Sequence, residues 1–298
     1  MASLPALPQN NSFHVRSTSL PSASHPLVAR VEEEIKKLEE AWRTPNASSS
    51  PSTVEAICDG LGGLGVLYDC IQELLHMPLA NHQNRKWAED ALDGSLRLLD
   101  MCSTTRDILL QMKEHMQSLR SALRRKGEST IIRSSINEYI SSIKRVKKDI
   151  NKCLQKLKEM DNNDKRNISD QQMSTVGMLL RETRVTTISI LQSILSLLSA
   201  SRSNPKISSK WSLVSRLMHK AQVARSDEDQ KDANEAWCVD IALHDLLAAK
   251  DGEMERVQMV QRRLEAFQVS IERLEGGLES MFRFLIQNRV SLLNIFSQ

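Results

Sequence analysis

The sequence predicts an all-α protein, an elongated bundle of long antiparallel helices with coiled-coil-like heptad seams. Three observations predict it. Aromatic residues make up only 4% of the chain, while Leu, Met, Glu, Lys and Arg abound; this composition favours helices over strands. The eight prolines stand at positions 5, 8, 21, 26, 45, 51, 78 and 205, so none falls between Pro78 and Pro205 and none after it. Proline breaks helix interiors, and these gaps permit long helices. Two stretches also place apolar residues at alternating spacings of three and four, the signature of a helix burying one seam.

Taken in order, residues 1–25 read as a disordered Ser/Pro-rich tail, and 26–298 as one helical bundle domain. The first helix opens at Ser24-His25-Pro26, with proline near its first position, and ends near Trp42. Residues 43–53, with two prolines and four serines, are a loop. A second helix covers about 53–76 and stops before Pro78. A third covers about 84–125; Leu109, Met112, Met116, Leu119 and Leu123 mark its buried side, and Gly127 ends it. The fourth gives the cleanest signal. Ile132, Ile136, Tyr139, Ile143, Val146, Ile150, Cys153, Leu157 and Met160 form a seam about 44 Å long at about 1.5 Å per residue. Asn162-Asn163-Asp164 is expected to close it. A fifth helix, about 168–200, is apolar on most faces and so belongs at the centre of the bundle. A shorter helix is expected at 208–224. The last segment, about 233–296, breaks near Asp251-Gly252. Its seam runs Val257, Val260, Leu264, Phe267, Ile271, Leu274, Leu278, Met281, Leu285, Asn288, Leu292, Ile295.

Composition narrows the function classes. A net charge of +3 is too small to imply nucleic acid, and the absence of interleaved aromatics argues against single strands. The five cysteines (Cys58, Cys70, Cys102, Cys153, Cys238) form no C-x-x-C pair and read as reduced, buried thiols of a cytoplasmic protein. The longest uncharged stretch, Val185 to Ser201, is rich in Ser and suits a buried helix better than a membrane span. The first 31 residues hold no Asp or Glu, six Ser and two Arg. A plastid transit peptide has this look, as does an ordinary disordered tail.

No motif assembles a chemistry, so no cofactor, metal or catalytic residue is assigned and the chain is expected not to be an enzyme. Gly60-Leu61-Gly62-Gly63-Leu64-Gly65 matches the dinucleotide pattern formally. That motif requires a strand before it, whereas here the flanks are helical and small residues suit close helix packing. His244-Asp245 resembles part of a metal site, with His219 25 residues earlier and Asp251 six later, but the remaining His are scattered, and a solvent-facing pair is the plainer reading. The acidic run Asp227-Glu228-Asp229 lacks the glycine and terminal Glu of a calcium loop.

Three features bear on partners. Lys144, Lys148, Lys152 and Lys156 form a basic stripe, flanked by Arg145, Lys147 and Lys158. Such a stripe is either a solvated face or a docking surface for an acidic helix or an anionic leaflet. Arg16-Ser17-Thr18-Ser19-Leu20-Pro21 places Ser19 in the setting that basophilic kinases and phosphoserine-reading adaptors recognise. Asn288 is the single polar member of the last seam. It either fixes register, as buried Asn does in coiled coils, or sits in a solvent-facing turn.

Several segments together resemble the plant-specific BYPASS-related family of helical proteins. They are Phe13-His14-Val15-Arg16-Ser17 with Ser19-Leu20-Pro21, then Leu67-Tyr68-Asp69-Cys70, then Ser95-Leu96-Arg97-Leu98-Leu99-Asp100-Met101-Cys102 with Arg106-Asp107, and finally Arg289-Val290-Ser291-Leu292-Leu293-Asn294-Ile295. The resemblance spans nearly the whole chain. It implies a plant source and a role in root and shoot development, and it carries no catalytic residues across. The expected function is therefore protein–protein interaction or scaffolding. The rival is a peripheral membrane protein that binds anionic lipid through the basic helix face.

Overall fold

The computed structural model describes residues 25–43, 53–77, 85–125, 129–166, 174–199, 235–248 and 253–297. They form seven helices: α1 Pro26–Arg43, α2 Thr53–Leu75, α3 Arg85–Arg124, α4 Ser129–Arg166, α5 Thr175–Ser199, α6 Glu235–Ala248 and α7 Glu253–Ser297. Among the described residues there is no strand. The helix expected at 208–224 lies outside them.

Local chemistry starts the helices where the sequence allows. Pro26 occupies the first position of α1, and His25 caps it: the Leu27 amide donates to His25 Nδ1 at 3.3 Å, and the Val28 amide to the His25 carbonyl at 2.8 Å. Ser174 caps α5, its hydroxyl accepting from the Gly177 amide at 3.2 Å. The cap puts the start of α5 at Thr175, several residues later than the apolar pattern suggested.

The end of α4 departs from the sequence reading. Asn162-Asn163-Asp164 does not close the helix, which continues to Arg166. Asn and Asp are poor helix formers because their side chains compete for the backbone. Here Asp164 is buried and gripped by Arg184 of α5, and that tertiary bond outweighs the local preference.

The buried apolar residues join in one cluster from Val28 to Leu292. α7 packs along α3, α2 and α6; α4 packs on α3 and α5; α1 lies on α2 and α5. Polar bonds give the directions. Arg106 pairs with Glu279 at 2.8 Å, Lys113 with Glu275 at 2.5 Å and Arg120 with Glu265 at 3.4 Å. Numbers rise on α3 as they fall on α7, so the two are antiparallel. The short 126–128 connection makes α3 and α4 antiparallel, and α4 and α5 follow the same rule. α3 and α5 therefore run the same way.

The seams are buried as their spacing requires. Ile132 to Leu157 on α4 and Val257 to Leu292 on α7 are shielded throughout, with Met160 and Ile295 half-buried at the ends. α4 packs mainly on two helices and α7 on three, so each seam feeds a shared multi-helix core. α5 is buried on most faces, as its composition implied. Its hydroxyls are satisfied by back-bonding: Thr183 to the Leu179 carbonyl, Thr187 to Thr183 and Ser193 to Ser189, each at 2.8 Å. Thr187 also meets the Tyr68 hydroxyl at 2.9 Å, tying α5 to α2.

Candidate functional site

The glycine run lies inside α2, whose backbone is helical from Thr53 to Leu75. It forms no loop that could cradle a phosphate. Its use is close packing. A Cβ on Gly63 would meet Leu38 of α1 at 2.5 Å, and one on Gly65 would meet the Phe284 ring of α7 at 2.9 Å. Gly277 repays the approach from the other side, where a Cβ would meet Leu61 at 2.6 Å. Helices α1, α2 and α7 approach as closely as they do because these positions carry no side chain.

His244 and Asp245 are both exposed on α6, while His219 and Asp251 lie outside the described residues, as do Asp227, Glu228 and Asp229. Among the described residues no three His, Cys, Asp or Glu side chains converge to hold a metal. All five cysteines are free thiols; Cys70, Cys102 and Cys153 are buried, whereas Cys58 and Cys238 are half-buried rather than buried. Burial pushes each thiol above its ordinary value, Cys102 to about 12.

The lysine stripe stands on the outer side of α4, with Lys144, Lys148, Lys152 and Lys156 all exposed. Lys152 pairs with Asp149 at 2.9 Å, an exposed contact one turn away on the same helix. Lys147, beside the stripe, turns inward to bond Asp240 of α6 at 3.0 Å, and Arg145 donates to Ser142 at 3.1 Å. The outer face between the lysines carries no exposed large apolar side chain, so any attraction it exerts is electrostatic.

Asn288 is 6% exposed, within the α7 seam and not on a solvent-facing turn. Its Oδ1 has no hydrogen-bond partner among the described residues. Beside it, Arg289 donates to the Leu92 carbonyl at 2.6 Å and to Ser95 Oγ at 3.0 Å. This bond brings together two of the segments that carried the family resemblance, Ser95–Cys102 and Arg289–Ile295. Around that junction Leu96 of α3 and Ile286, Val290 and Leu293 of α7 remain between 42% and 53% exposed. The last three follow an i, i+4, i+7 spacing and share one face of α7. Ser19 lies outside the described residues.

One feature has no counterpart in the sequence reading. A cleft of about 420 Å³ opens between the first turns of α3, the end of α4 and the start of α5. At its base Arg184 Nε donates to Asp164 Oδ2 at 2.7 Å, Nη2 donates to Oδ1, and Nη1 reaches the Asp90 carbonyl at 3.3 Å. Gly94 makes room for the guanidinium, since a Cβ there would collide with Arg184 Nη1. Trp87, Ala91 and Met160 supply apolar wall; Asp93 and Arg97 pair at the rim at 2.8 Å. Arg181, one turn before Arg184, lines the same cleft. It lowers the neighbouring Glu182 carboxyl, whose burial raises it. Gly94 and Arg184 do not stand out in sequence, and Asp164 does so only as a helix terminator, because the three belong to three helices and only packing aligns them.

Among the described residues no helix is long and apolar enough to cross a membrane. No curated protein and no solved structure matches the chain. The family model described as Protein BPS1 matches residues 60–295. That match includes both the Ser95 and Arg289 segments joined across α3 and α7 and all but the first helix and the start of the second, and the chain therefore belongs to this BYPASS-related family.

Proposed function

We propose that the chain is a non-enzymatic helical interaction protein, a scaffold serving plant root and shoot development. Membership of the Protein BPS1 family supports the developmental part. The observation that carries the interaction part is the apolar face at the α3–α7 junction. Leu96, Ile286, Val290 and Leu293 are large and exposed, and they flank the point where Arg289 bonds to Leu92 and Ser95. Aligned exposed apolar side chains mark protein interaction surfaces more often than scattered ones do. The partner it suits is a protein presenting the apolar stripe of an amphipathic helix.

The test compares the full chain with its Leu96→Glu/Val290→Glu variant in pull-downs from plant tissue, read by mass spectrometry. Both substituted side chains face solvent, so the fold should tolerate the change. A defined set of partners should be retained by the parent protein and lost by the variant. Identical partner sets from both proteins would refute this surface as the interaction site.

A second reading rests on the α4 face, where Lys144, Lys148 and Lys156 are exposed and form no ion pair with a described residue. On this reading the protein binds an anionic leaflet. Each lysine near the surface contributes about 1 kcal/mol, and the attraction fades with salt as the screening length falls to about 10 Å at 0.1 M. Sedimentation with anionic and neutral vesicles decides it. Binding to anionic vesicles that a four-lysine-to-Gln variant loses would favour the membrane reading over the scaffold.

A further inference from the structure

Among the described residues, six charged side chains line the cleft between α3, α4 and α5, and most of that charge is already matched. Asp164 and Arg184 satisfy each other through two hydrogen bonds at the base. Asp93 and Arg97 are paired at the rim. Once these pairs are set aside, one cation and one anion remain, Arg181 on α5 and Asp90 on α3. Neither makes an ion pair with a described residue. Both lie one turn toward the N-terminal end from the point where Arg184 passes Gly94. Because α3 and α5 run in the same direction, Arg181 and Asp90 stand at the same level on opposite sides of the opening.

The rest of the lining suits a small ligand. Trp87, Ala91 and Met160 give an apolar wall. Gly177 lies on the α5 face that bears Arg181 one turn later, and leaves the first turn of that helix open to the cleft. That turn carries no acidic residue; Ser174 already holds the Gly177 amide, and the remaining helix dipole adds to the charge of Arg181. A bare anion would meet Arg181 but face the Asp90 carboxylate; a bare cation would have the opposite conflict. A molecule bearing both charges meets neither.

We propose that this cleft binds a small zwitterion, a molecule with a carboxylate and an ammonium group on an apolar body. Arg181 and the first turn of α5 take the carboxylate. Asp90 takes the ammonium. Trp87 and Met160 cover the apolar body. The Arg184–Asp164 pair does not touch the ligand; it fixes α5 against α4, and the Arg184 bond to the Asp90 carbonyl ties α5 to α3, so together they set the width of the opening.

Calorimetry and saturation-transfer NMR on the full chain test this with L-leucine as the probe. Isocaproate, which lacks the ammonium, and isoamylamine, which lacks the carboxylate, serve as half-molecules. Leucine should bind saturably, and each half should bind at least about tenfold more weakly, as expected when a charged hydrogen bond is lost. Arg181→Gln and Asp90→Asn should each weaken leucine by a similar factor at an unchanged melting temperature, since neither side chain holds the fold together. Lys36→Gln, on α1 and outside the lining of the cleft, should leave leucine binding unchanged. The proposal fails if leucine shows no saturable binding at millimolar concentration. It also fails if isocaproate binds as tightly as leucine, which would mean an anion site, or if Arg181→Gln binds leucine like the parent protein.

Discussion

Replacing Asp164 with alanine should be among the most damaging single changes outside the apolar core. Its side chain is 10% exposed and that of Arg184 15%, so the pair is nearly out of water. The carboxylate accepts from both Nε and Nη2 of Arg184. Without it the guanidinium stays wedged beside Gly94, with the Asp90 carbonyl at 3.3 Å as its remaining bond. Breaking a buried pair by removing one partner costs about 3–5 kcal/mol, because a charge is left without compensation. The residual exposure admits some water, which places the expected loss near the lower end, about 3 kcal/mol. For a protein of this size that corresponds to a fall of about 6–12 °C in melting temperature. Removing both charges with Asp164→Leu/Arg184→Met should recover most of the loss, since a buried pair and a well-packed apolar pair differ little in stability. The parent, Asp164→Leu, Arg184→Met and the double variant make a double-mutant cycle, read with Asp164→Ala by urea unfolding under far-UV circular dichroism. A loss within about 1 kcal/mol for Asp164→Ala would be that of a surface pair. It would mean that α4 frays before Asp164, as the Asn162-Asn163-Asp164 pattern suggested, and that the reasoning from burial was wrong.

Four further outcomes follow from named contacts. Ile150→Ala should cost about 2–5 kcal/mol, because Ile150 is fully buried in the α4 seam, while Lys152→Ala should change stability by less than about 0.5 kcal/mol; equal effects in denaturant titrations would place the seam on the wrong side of α4. Gly62→Ala, with open space around its Cβ, should stabilise α2 by roughly 0.5–1 kcal/mol, whereas Gly94→Ala should destabilise by displacing Arg184; thermal melts that rank the two the other way would contradict the packing. Alkali should destabilise the fold: burial raises the Cys102 thiol from 9.0 to about 12, so between those values the unfolded chain has released a proton that the folded chain retains, and stability must fall as pH rises; Tyr68 and Tyr139, raised by burial too, act in the same direction. Unfolding curves that stay flat between pH 9.0 and about 12 would refute this. A peptide covering 13–24 and phosphorylated at Ser19 should bind a phosphoserine-reading adaptor that the unmodified peptide does not bind, in a fluorescence-polarisation titration; equal binding by both would remove Ser19 as a switch.

Sequence alone determined whatever depends on periodicity. The α4 and α7 seams, the central place of α5 and the helix boundaries at Pro26 and Pro78 could be read directly, because a helix repeats its buried face every few residues and proline cannot lie inside one. The lysine stripe was legible for the same reason: one helix face repeats regardless of what packs behind it. Tertiary structure alone decided the rest. Asp164 looked like a helix terminator, and only Arg184, twenty positions on and in another helix, keeps it in α4. Asn288 could have been buried or exposed, and burial against the core settled which. Gly94, Arg181 and Asp90 drew no notice, since each matters through its place beside a different helix. A local pattern records which side of a helix faces inward. It does not record which helix waits there, and pairings across α3, α4, α5 and α7 follow from how the whole core closes.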